Sequence, residues 1–162
     1  MIKKIIVTFF ISTSLYAQEA VILNPLSGRI NTNNPEFNFI QVNDTIAFFT
    51  AMDNLENQES SIYYSIKKDE VWNYRKYAKY NFDENSTGEI TFLGREKSIF
   101  TFCEQNKKCK LILFNENKFE EISALNNQGH KNTQPHFTNH NGQNVLYFVS
   151  DRIGGFGGLD IW

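Results

Sequence analysis

The feature that most constrains this chain is a spacing that occurs three times. Thirteen positions separate Phe49 from Ile62, Phe100 from Leu113 and Phe148 from Ile161. Each pair joins two short strand-like runs: 46–50 with 61–64, 98–101 with 111–114, and 145–150 with 159–162. Each second run closes with an aromatic, Tyr63, Phe114 or Trp162, and successive copies are offset by 51 and 48 residues. Upstream, Pro35 and Phe37 recur as Pro135 and Phe137 at an offset of 100, while the middle copy has 88–92 in that place and no proline. Self-similarity at a fixed period marks an array of supersecondary units, each needing a neighbour to bury its apolar face.

Each unit reads as about four strands. In the third, residues 136–138 lead into a tight turn ending in Asn141-Gly142, a pair suited to the positive φ angles of a two-residue hairpin. The first copy turns at Asn43-Asp44 and the second near 94–96. Residues 64–72 suggest a further hairpin with 67–70 at its tip, and 115–119 form its shorter counterpart. No amphipathic helix of useful length competes. Fifteen Phe and seven Tyr suit pleated surfaces, and three Pro with abundant Asn indicate turns rather than a disordered linker. Four strands at a period of about 40–50 residues is the propeller signature. A β-sandwich would not require the thirteen-residue spacing to recur. The expected fold is therefore all-β: an incomplete β-propeller of about three four-stranded antiparallel blades over residues 18–162. Its units are expected at about 33–80, 88–130 and 132–162, preceded by a signal peptide at 1–17.

That signal peptide is read from Lys3 and Lys4, a mostly apolar run at 5–15, and Ala17 as a small residue at the cleavage point. The run is too short to span a bilayer, so no membrane span is expected in the mature chain. No Cys follows it for lipid attachment. The formal charge of −2 and pI near 5.9 argue against a nucleic-acid or anionic-membrane partner. The most basic segment, 75–79, reads as a solvated strand face. Cys103 and Cys109 flank a polar stretch between two apolar runs. In an oxidising compartment the natural reading is a disulfide across the base of a hairpin loop, contributing about 2 kcal/mol in the chain-entropy model. A redox-active pair or metal ligands are the rival readings. The spacing is not Cys-x-x-Cys and no second ligand pair accompanies it.

The third copy carries the most specific pattern. It comprises 132–137 with Pro135 and Phe137, then 146–152 with Phe148, Ser150, Asp151 and Arg152. It ends in 154–162 with Gly154, Gly155, Gly157, Gly158, Asp160 and Trp162. This segment resembles the WD-repeat-like propeller repeat of TolB-type and OmpA-family envelope proteins. The first copy fits loosely, lacking the Ser-Asp-Arg and glycine-rich elements, and the second fits mainly by spacing. The resemblance implies an envelope protein of the periplasm or outer membrane. In such proteins the blades often precede a peptidoglycan-binding domain, which these residues do not include. A closed propeller usually needs four to eight blades. The further expectation is that this is the N-terminal part of a longer protein, with the remaining blades in its own full-length chain; the alternative is that another chain covers the open edges.

Gly154 to Gly158 lacks the Lys-Ser/Thr pair and following helix of a phosphate loop, so a wide turn is the better reading. Asp151 and Asp160 flank it and could chelate Ca²⁺, but their spacing fits no EF-hand. Asp151 is expected to cap the turn, and Asp151-Arg152 to pair with neighbouring blades. His130, His136 and His140 fall within eleven residues and read as polar loop histidines rather than zinc ligands. No Gly-x-Ser-x-Gly elbow serves Ser150. The expectation is no catalytic residue, no cofactor and no metal. The function expected is a non-enzymatic binding or scaffolding module of the cell envelope with a protein or glycan partner. The alternative is an exported hydrolase, or its accessory propeller, with catalytic residues elsewhere in the protein.

Overall fold

The computed structural model describes residues 23–26, 29–56, 58–73, 76–105, 108–126 and 129–162. The expected signal peptide at 1–17 lies outside the described residues, as does Arg75 of the basic segment. The chain is all-β with three antiparallel sheets. Strands β1 (Glu36–Gln41), β2 (Ile46–Asn54), β3 (Glu59–Lys68) and β4 (Val71–Trp72) pair in order, and β5 (Lys76–Tyr77) also pairs with β3. The second sheet is β6 (Ser86–Phe92), β7 (Lys97–Cys103), β8 (Lys110–Asn115) and β9 (Lys118–Glu121). After a single helical turn, α1 (Ser123–Asn126), the third sheet is β10 (Asn132–His140), β11 (Gln143–Ser150) and β12 (Asp160–Ile161).

The sequence expectation of four strands per unit describes the second sheet alone. In the first, the outer strand is broken into β4 and β5, which meet different parts of the long β3. The third has three strands. The helical turn α1 is also unanticipated. It forms as Leu125 and Asn126 N–H donate to the Ile122 carbonyl, carrying Leu125 into the core.

The thirteen-residue spacing has a simple geometric meaning. Thr50 faces Ile62 and Phe49 faces Tyr63; Phe100 faces Ile112 and Ile99 faces Leu113; Val149 faces Ile161, with Phe148 and Trp162 exchanging backbone hydrogen bonds. Two residues thirteen apart thus sit one place off direct opposition and point to opposite faces of their sheet. Where both faces carry large apolar side chains, each sheet needs cover on two sides.

The sheets meet that need by stacking. Ile62, Phe48 and Tyr64 of the first sheet pack with Ile90, Phe100 and Phe114 of the second, together with Ala78 and Tyr80 from the connecting segment. On its other side the second sheet presents Ile99, Leu111 and Leu113 to Phe148, Leu146 and Trp162 of the third. Ile62, Ile90 and Phe100 are fully buried, each contributing about 1.5–3 kcal/mol by leaving water. The far face of the first sheet, with Ala47, Phe49 and Ala51, is covered by Ile30 and Trp72. Ala78, which the sequence placed on a solvated face, is buried because its N–H bonds the Ile62 carbonyl and holds it on the sheet.

A second repeat appears only in the backbone. The first strand of every sheet carries a β-bulge against the second, between Phe37 and Ile40, Gly88 and Ile90, and Thr133 and His136. Each holds one positive-φ residue, Asn38 (54°), Glu89 (21°) or Gln134 (52°). Pro135 falls inside the third bulge, where a missing N–H costs no ladder bond.

Candidate functional site

The residues singled out in the third repeat lock it to the second sheet. Ser150, almost fully buried, accepts from Arg152 N at 3.2 Å and Nε at 3.1 Å. Arg152 Nη2 then donates to Asn132 Oδ1 (3.0 Å) and to the Leu125 carbonyl in α1 (3.2 Å). Its guanidinium lies 4.5 Å from the Phe148 ring centroid and 5.5 Å from that of Trp162. Phe137, half-buried, donates its N–H to Thr91 Oγ1 at 3.0 Å.

Asp151 pairs across to the neighbouring sheet, one of its two expected roles, but the turn cap expected of it falls to Asp160. Asp151 does not cap the glycine-rich turn; its carboxylate turns towards the neighbouring sheet. It accepts from Lys131 N at 2.6 Å and Lys108 Nζ at 3.0 Å, with His130 Nδ1 at 3.5 Å. The Lys108 ammonium, aided by the Lys131 N–H, holds this carboxyl below its ordinary range. The cap is Asp160, whose Oδ2 accepts from Gly157 N at 3.0 Å. Gly154 has φ 109°, and a Cβ at Gly155 would overlap the Asp160 carboxylate, so both glycines serve this loop. A Cβ at Gly158 would meet nothing.

The histidines have separate surroundings. His130 faces Asp151, His140 Nε2 lies 3.3 Å from Asn141 Nδ2 in the hairpin turn, and His136 is exposed opposite Tyr147. Among the described residues no group of three His, Cys, Asp or Glu converges as a metal site would require. Cys103 and Cys109 are joined, with Cα atoms 4.1 Å apart, at the ends of β7 and β8.

Sequence reasoning did not reach the region around that disulfide. A polar cleft of about 650 Å³ is lined by Glu59, Glu84, Glu104, Lys131 and the two cysteines, among others. A smaller recess of about 230 Å³ shares Ser60, Lys131 and the cysteines and adds Glu89, Gln134 and Leu159. All three sheets contribute, because the β2–β3, β7–β8 and β11–β12 connections gather at this end. The Lys108–Asp151 pair ties two of those connections together.

Glu89 is the unusual group of this cleft. Burial pushes its carboxyl above the ordinary value, opposed by bonds from the Thr101 hydroxyl and from Gln134 and by the charge of Lys131. It belongs to a pattern set up by the bulges. Asn38 Oδ1 accepts from Ile90 N in the next sheet (2.9 Å), and in the sheet after that Gln134 N donates to Thr101 Oγ1 (3.1 Å), the hydroxyl beside Glu89. Asn38 directly, and Glu89 together with Thr101, thus meet the first strand of the following sheet at that strand's own bulge. A rim of carboxylates with one lysine suits donors and cationic groups on a partner.

No family model, curated protein or solved structure matches this chain. The TolB-type and OmpA-family resemblance therefore rests on the residues of the third repeat alone.

Proposed function

We propose that the chain is a run of β-propeller blades forming a non-enzymatic binding and scaffolding module of the cell envelope, exported and built from TolB-type repeats. The observation that carries this reading is the unfilled face of the third sheet. In the first sheet Phe48 and Ile62 point towards the second; in the second, Ile99 and Leu111 point towards the third. Ile62 and Leu111 are fully buried and Ile99 is 5% exposed. The corresponding face of the third sheet carries Tyr147 and Ile161, which are 42% and 76% exposed. A face patterned like two packed ones, yet open, fits a further sheet of the same build.

The repeated bulge contacts support a radial array rather than a closed sandwich, since each links one sheet only to the next. The polar cleft, lying where the connecting loops gather, is the surface we assign to a protein or glycan partner.

The test uses the mature chain, residues 18–162, exported to an oxidising compartment. Sedimentation should show concentration-dependent association through the open face. Tyr147→Lys with Ile161→Lys should give a monomer with an unchanged unfolding midpoint. A stable, cooperative wild-type monomer, or association indifferent to both lysines, would overturn the reading.

A further inference from the structure

The sheet-to-sheet contact between β2–β3 and the second sheet covers only part of the first sheet's face. Ile62 and Thr50 are fully buried within it, and Phe48 reaches Phe92 at 5.0 Å between ring centroids. Ile66, two places further along β3 on the same face, is 39% exposed. Between them opens a cleft of about 610 Å³ whose walls include Ile46, Phe48, Tyr64, Ala78, Lys79 and Tyr80. That volume lies within the 300–1,000 Å³ typical of small-molecule sites.

The wall opposite the sheet is held in place. Asn81 accepts from Ile62 N (2.8 Å) and donates to the Ile62 carbonyl (2.7 Å) and the Ala78 carbonyl (2.9 Å), and it also meets the Thr87 hydroxyl. Ala78 N–H bonds the Ile62 carbonyl as well. The cleft is therefore formed in advance of any ligand, which lowers the ordering cost of binding.

Its chemistry is one-sided. The lining is aromatic and aliphatic apart from Asn81, whose amide is engaged with Ile62 and Ala78, and one cation, Lys79, whose ammonium sits 4.0 Å from the Phe114 ring centroid and 5.9 Å from that of Tyr80. No carboxylate of the described residues pairs with it. Tyr80 is buried, which raises its phenol above the ordinary value and leaves it neutral at physiological pH. A preformed aromatic trough with one uncompensated positive charge selects a molecule that is flat and apolar at one end and anionic at the other.

We propose that this cleft is a binding site for a small carboxylate with a planar apolar body, the carboxylate meeting Lys79 and the body lying along Phe48 and Tyr64. The site is independent of the scaffold reading, since it needs no further sheet and no partner at the polar cleft.

The test is calorimetric titration of the mature chain with 4-phenylbutyrate and with the neutral 4-phenyl-1-butanol, paired with aromatic proton NMR. The acid should bind saturably and at least about tenfold more tightly than the alcohol. Shifts should be confined to Phe48, Tyr64, Tyr77 and Tyr80, the rings that line the cleft. Lys79→Gln should erase the preference for the acid, while Lys79→Arg should keep it. Absence of saturable binding, equal affinity for acid and alcohol, or a preference that survives Lys79→Gln would each overturn the proposal.

Discussion

Arg152 shows how a single side chain ties the strands of one sheet together and fastens them to the helical turn that precedes it. Its planar fork bonds Ser150, Asn132 and the Leu125 carbonyl while its face rests on Phe148. A lysine keeps the charge but has neither the fork nor the stacking plane. Arg152→Lys should therefore cost about 1.5–3 kcal/mol in urea unfolding, the range of bonds to charged groups; an unchanged midpoint would remove the residue from the account. Glu89 makes a different prediction. Because its folded-state carboxyl titrates above the ordinary 4.5, the folded chain holds that proton more tightly than the unfolded one. The resulting stability is complete below pH 4.5 and is lost as pH rises through the folded-state value. Glu89→Gln lacks this loss, so its advantage in unfolding midpoint over wild type should grow as pH rises from 4.5 to 7. A difference that stays constant with pH would contradict the assignment. At Asn38, a positive φ costs a residue other than Gly or Asn about 1–2 kcal/mol, and its bond to Ile90 adds about 1 kcal/mol. Asn38→Ala should then destabilise by roughly 2–3 kcal/mol and Asn38→Gly by about 1, both read from urea midpoints.

At the scale of elements, the β7–β8 hairpin is closed by Cys103–Cys109. Non-reducing mass spectrometry of exported protein should find the two linked, and Cys103→Ser with Cys109→Ser should lower stability by about 2 kcal/mol; two free thiols in the wild type would contradict this. The hairpins were legible because their signals are local. Strand runs are short, apolar and rich in aromatic and β-branched residues, and turns such as Asn141-Gly142 name their own geometry. Other turns were legible only in position: Asp69-Glu70 and Glu116-Asn117 adopt the same two positive φ angles without a glycine. The bulges were not legible at all. Asn38, Glu89 and Gln134 share a backbone conformation but no side-chain type, so laying the chain on itself aligns nothing there. That Asp160 rather than Asp151 caps the loop escaped for a related reason. Both flank the glycine-rich loop in sequence, and only the fold brings Lys108 to one and Gly157 to the other.

At the scale of the whole molecule, three sheets share two interfaces of the same sense, and the polar cleft exists only because connections from all three gather at one end. Glu59, Glu84, Glu89, Glu104 and Lys131 are scattered over more than seventy residues, so their convergence follows from the stacking and from no motif. Tyr147 and Ile161 look like ordinary strand residues until their counterparts in the first two sheets are seen buried. The claim that each sheet's face is made to receive the next is tested most directly by a crystal structure of the complete product of this chain's own reading frame. The account predicts an antiparallel sheet lying on Tyr147, Val149 and Ile161. A structure in which those side chains still face solvent, or are covered by something other than a further sheet, would contradict it.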